Sequence, residues 1–238
     1  MMASKPFHFK QFTVGQNSAT HKVGTDGVLL GAWVQVAGEI NNILDIGTGS
    51  GLITLMLAQR TAPATRIEGI EIAEQDVLQA RENVQHSPWP QKIIIHHIAV
   101  QKFFPQKKYD LIVSNPPYFI NSWLPPEKKR SQARHTQSLS FESLLASTAR
   151  LLASQGRLAV ILPFVEGSGF IDLADKFQLF LNRKTSFRSR SHKPVERLLL
   201  EFSFSQTTIK ESDLVLYSEG ETWSEAHHEL TREFYLER

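Results

Sequence analysis

The tetrapeptide Asn115-Pro116-Pro117-Tyr118 closes the apolar run Tyr109-Asp110-Leu111-Ile112-Val113-Ser114. A hydrophobic run ending in two prolines predicts a buried strand that stops at a rigid turn. Pro117 biases Pro116 toward extended geometry, so the Pro116 carbonyl is not consumed by a helix. With the Asn115 amide oxygen beside it, this makes two neutral acceptors on a stiff backbone, next to the aromatic face of Tyr118. Such a set suits a planar ring carrying an exocyclic NH2 group, such as the N6 amine of adenine. That amine is a poor nucleophile because its lone pair is delocalised into the ring. Hydrogen bonds from both N–H groups to Asn115 and Pro116 favour a pyramidal nitrogen whose lone pair projects toward an electrophile opposite. Orientation and placed dipoles would carry such a reaction, without a strong base. Asn115, Pro116 and Tyr118 are the candidate catalytic residues, with Pro117 and Tyr118 on the substrate side. The same four residues also suit an ordinary strand-terminating turn, so the elements around them must decide.

Ile43-Leu44-Asp45-Ile46 reads as a short buried strand, followed by the loop Gly47-Thr48-Gly49-Ser50-Gly51 and a helical stretch from Leu52 to Arg60. Strand, glycine loop and helix are the nucleotide-site arrangement of a doubly wound sheet. A dinucleotide fingerprint would need glycine at Leu52, and a phosphate-binding P-loop would need Gly-Lys-Ser/Thr; both are absent. What stands here is an acid, Asp45, two residues before the first of three alternating glycines. The unit then repeats. Arg66 to Glu71 predicts a strand ending on an acid, and Ala73 to Gln85 a helix with Ala73, Val77, Ala80 and Val84 on one face. Glu71 lies where a second-strand carboxylate can hold both hydroxyls of a ribose.

Before these units, Phe7, Phe9 and Phe12 alternate in a polar arm, and Asp26 is placed to open a short helix that Gly31 weakens. After them, Lys92 to His97 predicts a third strand. Beyond the Asn-Pro-Pro-Tyr turn come a polar loop, a helix from Ser140 to about Leu152, a fifth strand over 156–162 and a helix over 166–179. Later strands follow at 181–189 and 198–204, then a short one at 212–217 and a helix at 224–235. The alternation of Leu198, Leu200, Phe202 and Phe204 with polar residues marks an antiparallel strand. The expected organisation is α/β and a single domain, 1–238, with 1–41 as N-terminal arm and helix and 42–238 as sheet core.

The chain has 238 residues, 41% hydrophobic and 21% charged, the composition of a soluble globular protein. Without cysteine it has no disulfide, thiolate metal site or cysteine nucleophile. The pairs His96-His97 and His227-His228 lack helical i, i+4 ligand spacing, which points to surface or strand-end histidines and no metal. No apolar stretch has membrane-spanning length, and Met1 to Gln16 lacks an apolar signal core, so the expected location is the cytoplasm. Net charge is only +2, but it is unevenly spread. Lys128, Lys129, Arg130 and Arg134 follow the Asn-Pro-Pro-Tyr turn. Arg183, Lys184, Arg188, Arg190, Lys193 and Arg197 form another basic group, whereas eight acids face three Lys or Arg from Ser205 onward. A basic face opposite an acidic one predicts a polyanion-binding surface.

Taken together, the loop at 45–51, Glu71 one strand later and Asn-Pro-Pro-Tyr at the fourth strand resemble the class I S-adenosylmethionine-dependent methyltransferases, within them the amino-methylating groups. The segment Lys22-Val23-Gly24-Thr25-Asp26-Gly27-Val28-Leu29-Leu30-Gly31-Ala32-Trp33 narrows this, with Ser87-Pro88-Trp89, Ser224-Glu225-Ala226 and Phe234-Tyr235-Leu236. Over nearly its whole length the chain is similar to the bacterial tRNA(Val) adenine-N6 methyltransferases. The resemblance implies a doubly wound seven-stranded sheet, mostly parallel, whose last strand is antiparallel. It implies S-adenosyl-L-methionine as cofactor and adenosine 37 in the anticodon loop of a tRNA as target, with the protein acting as a monomer. Carried over by position, the backbone of Gly47, Thr48, Gly49 and Gly51 approaches the methionine part and Asp45 anchors the loop. Glu71 takes the ribose hydroxyls, and Thr25 and Asp26 lie near the methionine end. Asn115 and Pro116 bind the N6 amine, Tyr118 stacks the ring, and Lys128, Lys129, Arg130, Arg134, Arg188 and Arg190 contact the RNA. One departure is visible: the acid that usually follows the third strand is Ala99 here, leaving backbone around Val100 to receive the cofactor's adenine. The turn alone does not separate this target from a DNA or rRNA adenine, a guanine N2 or a glutamine amide. A non-catalytic RNA-binding module on the same fold is the alternative of another class.

Overall fold

A computed structural model describes residues 5–17, 20, 22–117 and 139–236. The arm folds into a short hairpin, β1 (Phe7–His8) with β2 (Thr13–Val14). Its rings do not alternate in and out. Phe9 stacks on Phe12 at 4.6 Å, and Phe12 meets Trp89 edge-on, so the hairpin is fastened by aromatic packing.

Eight strands form one sheet: β3 (Asn42–Ile46), β4 (Arg66–Glu71), β5 (Ile93–His97), β6 (Tyr109–Ser114), β7 (Leu152–Pro163), β8 (Phe180–Arg190), β9 (Arg197–Ser203) and β10 (Lys210–Tyr217). Their order is β10-β8-β9-β7-β6-β3-β4-β5. Ile43, Leu44, Ile46, Leu111, Ile112 and Val113 are all inaccessible or nearly so, because these central strands are covered on both faces. One face packs on α1 (Thr25–Trp33), α2 (Leu52–Arg60) and α3 (Glu74–Gln85), the other on α4 (Phe141–Leu151) and α5 (Phe164–Ala174). The last helix, α6 (Glu225–Thr231), is capped by the Ser224 hydroxyl, which accepts from the His227 amide at 3.1 Å.

The sheet corrects the expected strand count. β9 is reversed against both β7 and β8, but β10 is an eighth strand, parallel to β8 at the edge. Its exposed, charge-bearing start, Lys210 to Asp213, leaves that edge a poor template for further pairing. Gly31 has a packing role in α1: a Cβ there would lie 2.6 Å from the Met56 sulfur, so glycine permits the close crossing of α1 and α2. Nor is His227 a surface histidine. It is 2% exposed, and burial followed by the nearby His228 lowers its pKa to about 4.

Candidate active site

The order of strands reverses between β3 and β6, and the crevice outside their carboxyl ends is where doubly wound sheets bind ligands. The sequence delivers the glycine loop after β3, Glu71 at the end of β4, Val100 after β5 and Asn115 after β6 to this one edge. Gly47, Gly49 and Gly51 hold φ of 75°, 54° and 84°, left-handed values that explain the alternating glycines. A Cβ on Gly47 or Gly49 would meet nothing within 4 Å, so both present bare backbone to open space. The loop's amides point back into the protein. Gly47 and Thr48 N–H donate to the Ile70 carbonyl, Gly51 N–H to the Thr48 carbonyl and Gly49 N–H to Glu71 Oε2 at 3.1 Å. This is not a phosphate cradle, in keeping with the absent P-loop residues.

Asp45 sits under the loop with no exposure. Its Oδ2 accepts from the hydroxyls of Thr48 (2.8 Å) and Thr54 (2.7 Å), tying strand, loop and helix together. Its Oδ1 is buried without a partner, and burial raises the carboxyl pKa to about 6 against the two hydroxyl bonds. Thr48 spends its hydroxyl on Asp45, and its methyl group packs where Gly69 leaves room. A Cβ on Gly69 would approach Thr48 Cγ2 to 3.0 Å and Ile95 Cδ1 to 2.8 Å. Thr48 therefore shapes the loop from beneath, with only its backbone left for a ligand. Glu71 Oε1 accepts from the amides of Ile72 (2.7 Å) and Ala73 (3.0 Å), which fixes its carboxylate at the rim.

On the other side of the crevice, Ser114 is fully buried and donates its hydroxyl to the Ile46 carbonyl at 2.8 Å. This bond locks the end of β6 to the end of β3 and sets where Asn115 begins. Asn115 Oδ1 is a buried acceptor with no hydrogen-bond partner among the described residues. An orphan acceptor costs about 1–3 kcal/mol, which a donor from outside would relieve. Pro116 is buried and Pro117 exposed. Tyr118, Lys128, Lys129, Arg130 and Arg134 lie outside the described residues.

Thr25 and Asp26 open α1, and Asp26 is bound at 2.8 Å to Nε of Arg197, which starts β9 opposite Pro163 at the carboxyl edge. The Val100 carbonyl already accepts from Arg150 Nη2 (3.0 Å) and the Phe103 amide (3.2 Å), so it has no lone pair left for an adenine amine. The basic group 183–197 is not one stripe. Arg183 is paired with Glu201 and stacked 3.5 Å over Trp33, and Lys184 is paired with Glu211. Both lie in the amino-terminal half of β8. Arg188 is paired with Asp213, and Arg190 lies over the Tyr217 ring at the carboxyl edge.

Sequence reasoning missed a buried polar stripe on α3. Asp76, Gln79 and Asn83 recur at helical spacing and are 3–5% exposed. Asn83 receives the Gly15 amide (2.8 Å) and donates to the carbonyls of Gly15 and Ser50, while Asp76 accepts from the Thr20 amide (2.7 Å). The stripe clamps the N-terminal arm to the glycine loop. Its signal was the i, i+3, i+7 run of amides and acid beside an apolar face.

Comparison with known proteins bears on this edge. Residues 23–179 match the model of the methyltransferase small domain. A tRNA1(Val) (adenine(37)-N6)-methyltransferase of Trichodesmium erythraeum is 42% identical over 99% of both chains. One of Phocaeicola vulgatus, carrying the same name, is 43% identical with the same coverage. The chain belongs to this methyltransferase family. Among solved structures, a predicted O-methyltransferase from Agrobacterium tumefaciens superposes with a TM-score of 0.68 at 15% identity, covering 88% of this chain and 96% of its own. That likeness is one of fold.

The methyltransferase fold and family make S-adenosylmethionine the cofactor, and the residues present fit it. Bare backbone at Gly47 and Gly49 can take the methionyl part, and Glu71 Oε2, which accepts only from Gly49, retains a lone pair for a ribose hydroxyl. Around Ala99 and Val100, backbone N–H groups and the Ala99 carbonyl, which accepts from the Lys102 amide, remain for the adenine ring. Among the described residues no cluster of histidines and carboxylates is placed to hold a metal ion, and no helix is long and apolar enough to cross a membrane.

Proposed function

We propose that this chain methylates the N6 amine of adenosine 37 in tRNA1(Val). The observation that carries the reading is the buried Asn115 Oδ1 at the switch point, without a partner among the described residues, on the opposite side of the crevice from the glycine loop. An exocyclic NH2 is the donor such an acceptor lacks. The choice of adenosine 37 among amine targets rests on the relatives' shared name, held at 42–43% identity over full length.

When bound, S-adenosylmethionine supplies an electrophilic sulfonium methyl. Asn115 Oδ1 and the Pro116 carbonyl receive the two N–H groups, localise the nitrogen lone pair and aim it out of the ring plane. Ser114 positions Asn115 through its bond to the Ile46 carbonyl. Glu71 and the glycine loop hold the cofactor's ribose and methionyl part, with Asp45 and Thr48 stiffening the loop from below. The nitrogen becomes positive and acidic only as the new bond forms, so solvent can accept its proton without a dedicated base. An anticodon-loop base is already unpaired, which lowers the cost of presenting it. All roles fall on one chain, so the working unit is a monomer, and a tRNA substrate puts it in the cytoplasm.

The test is incubation with labelled S-adenosylmethionine and tRNA1(Val), followed by mass spectrometry of the digested nucleosides. N6-methyladenosine at position 37, absent from a transcript carrying guanosine there, is the expected product. Label on DNA, protein or another nucleoside instead would overturn the assignment.

A further inference from the structure

One exposed apolar feature at the carboxyl edge has no part in the reading so far. β7 neighbours β6, and its pairing Ser114↔Val160 brings its end to the same edge as Asn115. There the chain leaves Pro163 and starts α5 with Phe164, 46% exposed, and Val165, 74% exposed. Large apolar side chains left in water beside a ligand crevice mark a contact surface. Phe164 is not loosely held: its amide donates to the Glu196 carbonyl at 3.2 Å, which fastens it to the turn between β8 and β9.

That turn supplies charge. His192 and Lys193 are exposed, the Lys193 amide closes the turn on the Arg190 carbonyl, and Arg190 spreads over Tyr217. Among the described residues neither Arg190 nor Lys193 has a carboxylate partner, unlike Lys184 and Arg188. Glu196 Oε1 accepts from the Ser189 hydroxyl and amide, and Glu166 is two residues along α5, turned about 200° from Phe164. An aromatic face flanked by free cations matches single-stranded nucleic acid, in which every base has a π-face and every link a phosphate. An apolar protein partner would find no use for the cations.

We infer that Phe164, with Val165, Arg190 and Lys193, forms a shelf on which a base flanking the target adenosine stacks, its phosphates facing the two cations. The proposal rests on the tRNA reading above and adds to it a positioning and specificity surface on β7 and α5. Unpaired flanking nucleotides can reach it only if the loop opens over the crevice, so the shelf selects loops over duplex.

The test measures binding of an anticodon stem-loop RNA, the cofactor's affinity and methyl-transfer kinetics for Phe164→Ala, Phe164→Leu, Phe164→Trp and Lys193→Gln. Phe164→Ala should weaken RNA binding roughly five- to a hundredfold through KM, with cofactor affinity and melting temperature unchanged because the ring is half exposed. Phe164→Trp should restore binding and Phe164→Leu should not, which separates stacking from mere apolar contact. Lys193→Gln should lower the slope of log K against log salt by about 0.7–0.9. Wild-type RNA affinity in Phe164→Ala, or full rescue by leucine, overturns the shelf while leaving N6 methylation standing. Failure of the unmodified protein to methylate the tRNA overturns the underlying reading instead.

Discussion

At the scale of single residues, Asp45 and Asn115 each bury an oxygen that lacks a donor among the described residues, yet they answer to different needs. Asp45 is structural, and its pKa of about 6 stands above the ordinary 3.8. A raised carboxyl pKa adds stability that is full below pH ~4 and is lost as pH rises through ~6, about 3 kcal/mol at most. Asp45→Asn keeps an acceptor for Thr48 and Thr54 but cannot ionise. Thermal melting between pH 4 and 7 should therefore fall more steeply for the wild type than for this variant; parallel curves would contradict the assignment. Asn115 stood out in the sequence as an amide before two prolines at a strand end, but that pattern also suits a plain turn, and only the fold shows its oxygen buried without a partner among the described residues. The inward turn of the Thr48 hydroxyl was not legible, because it depends on Asp45 beneath the loop and on Thr54 in α2. The saturated Val100 carbonyl could not be read either, because Arg150 reaches it from a helix 50 residues away.

Among the elements, the glycine loop works because its neighbours define it. Glu71 joins it to β4 by accepting from Gly49, Ile72 and Ala73 at once. Glu71→Ala should weaken cofactor binding in calorimetry by about ten- to a hundredfold and lower the melting temperature. Unchanged affinity would move the ribose role elsewhere. The strand–loop–helix succession was legible because central strands read as unbroken apolar runs. β10 and the full length of β7 were less so, as edge or hairpin-like segments such as Leu152 to Gly156 carry polar residues that mimic loops. The start of α5 came two residues earlier than its pattern suggests, because Pro163 serves as its N-cap with extended backbone.

Over the whole molecule, the basic residues differ in how far they are neutralised. Arg157 and Arg183 share Glu201 within the sheet, while Arg190 and Lys193 stand at the carboxyl edge without a carboxylate partner among the described residues. Sequence counting lumps these together, since it cannot see which cations a neighbouring strand neutralises. If tRNA docks on the carboxyl edge, Arg190→Gln should reduce the salt dependence of binding by about 0.7–0.9 in log–log slope. Lys184→Gln, whose cation is already matched by Glu211, should leave it unchanged. Equal effects would contradict this docking orientation.

Single-turnover methyl transfer by Asn115→Ala, set beside its cofactor affinity, tests the amine-binding claim most directly. The account predicts a loss on the order of a hundred- to a thousandfold in rate, as for removal of one placed dipole at a reacting group, with cofactor affinity within about twofold of wild type. Transfer at the wild-type rate would contradict it.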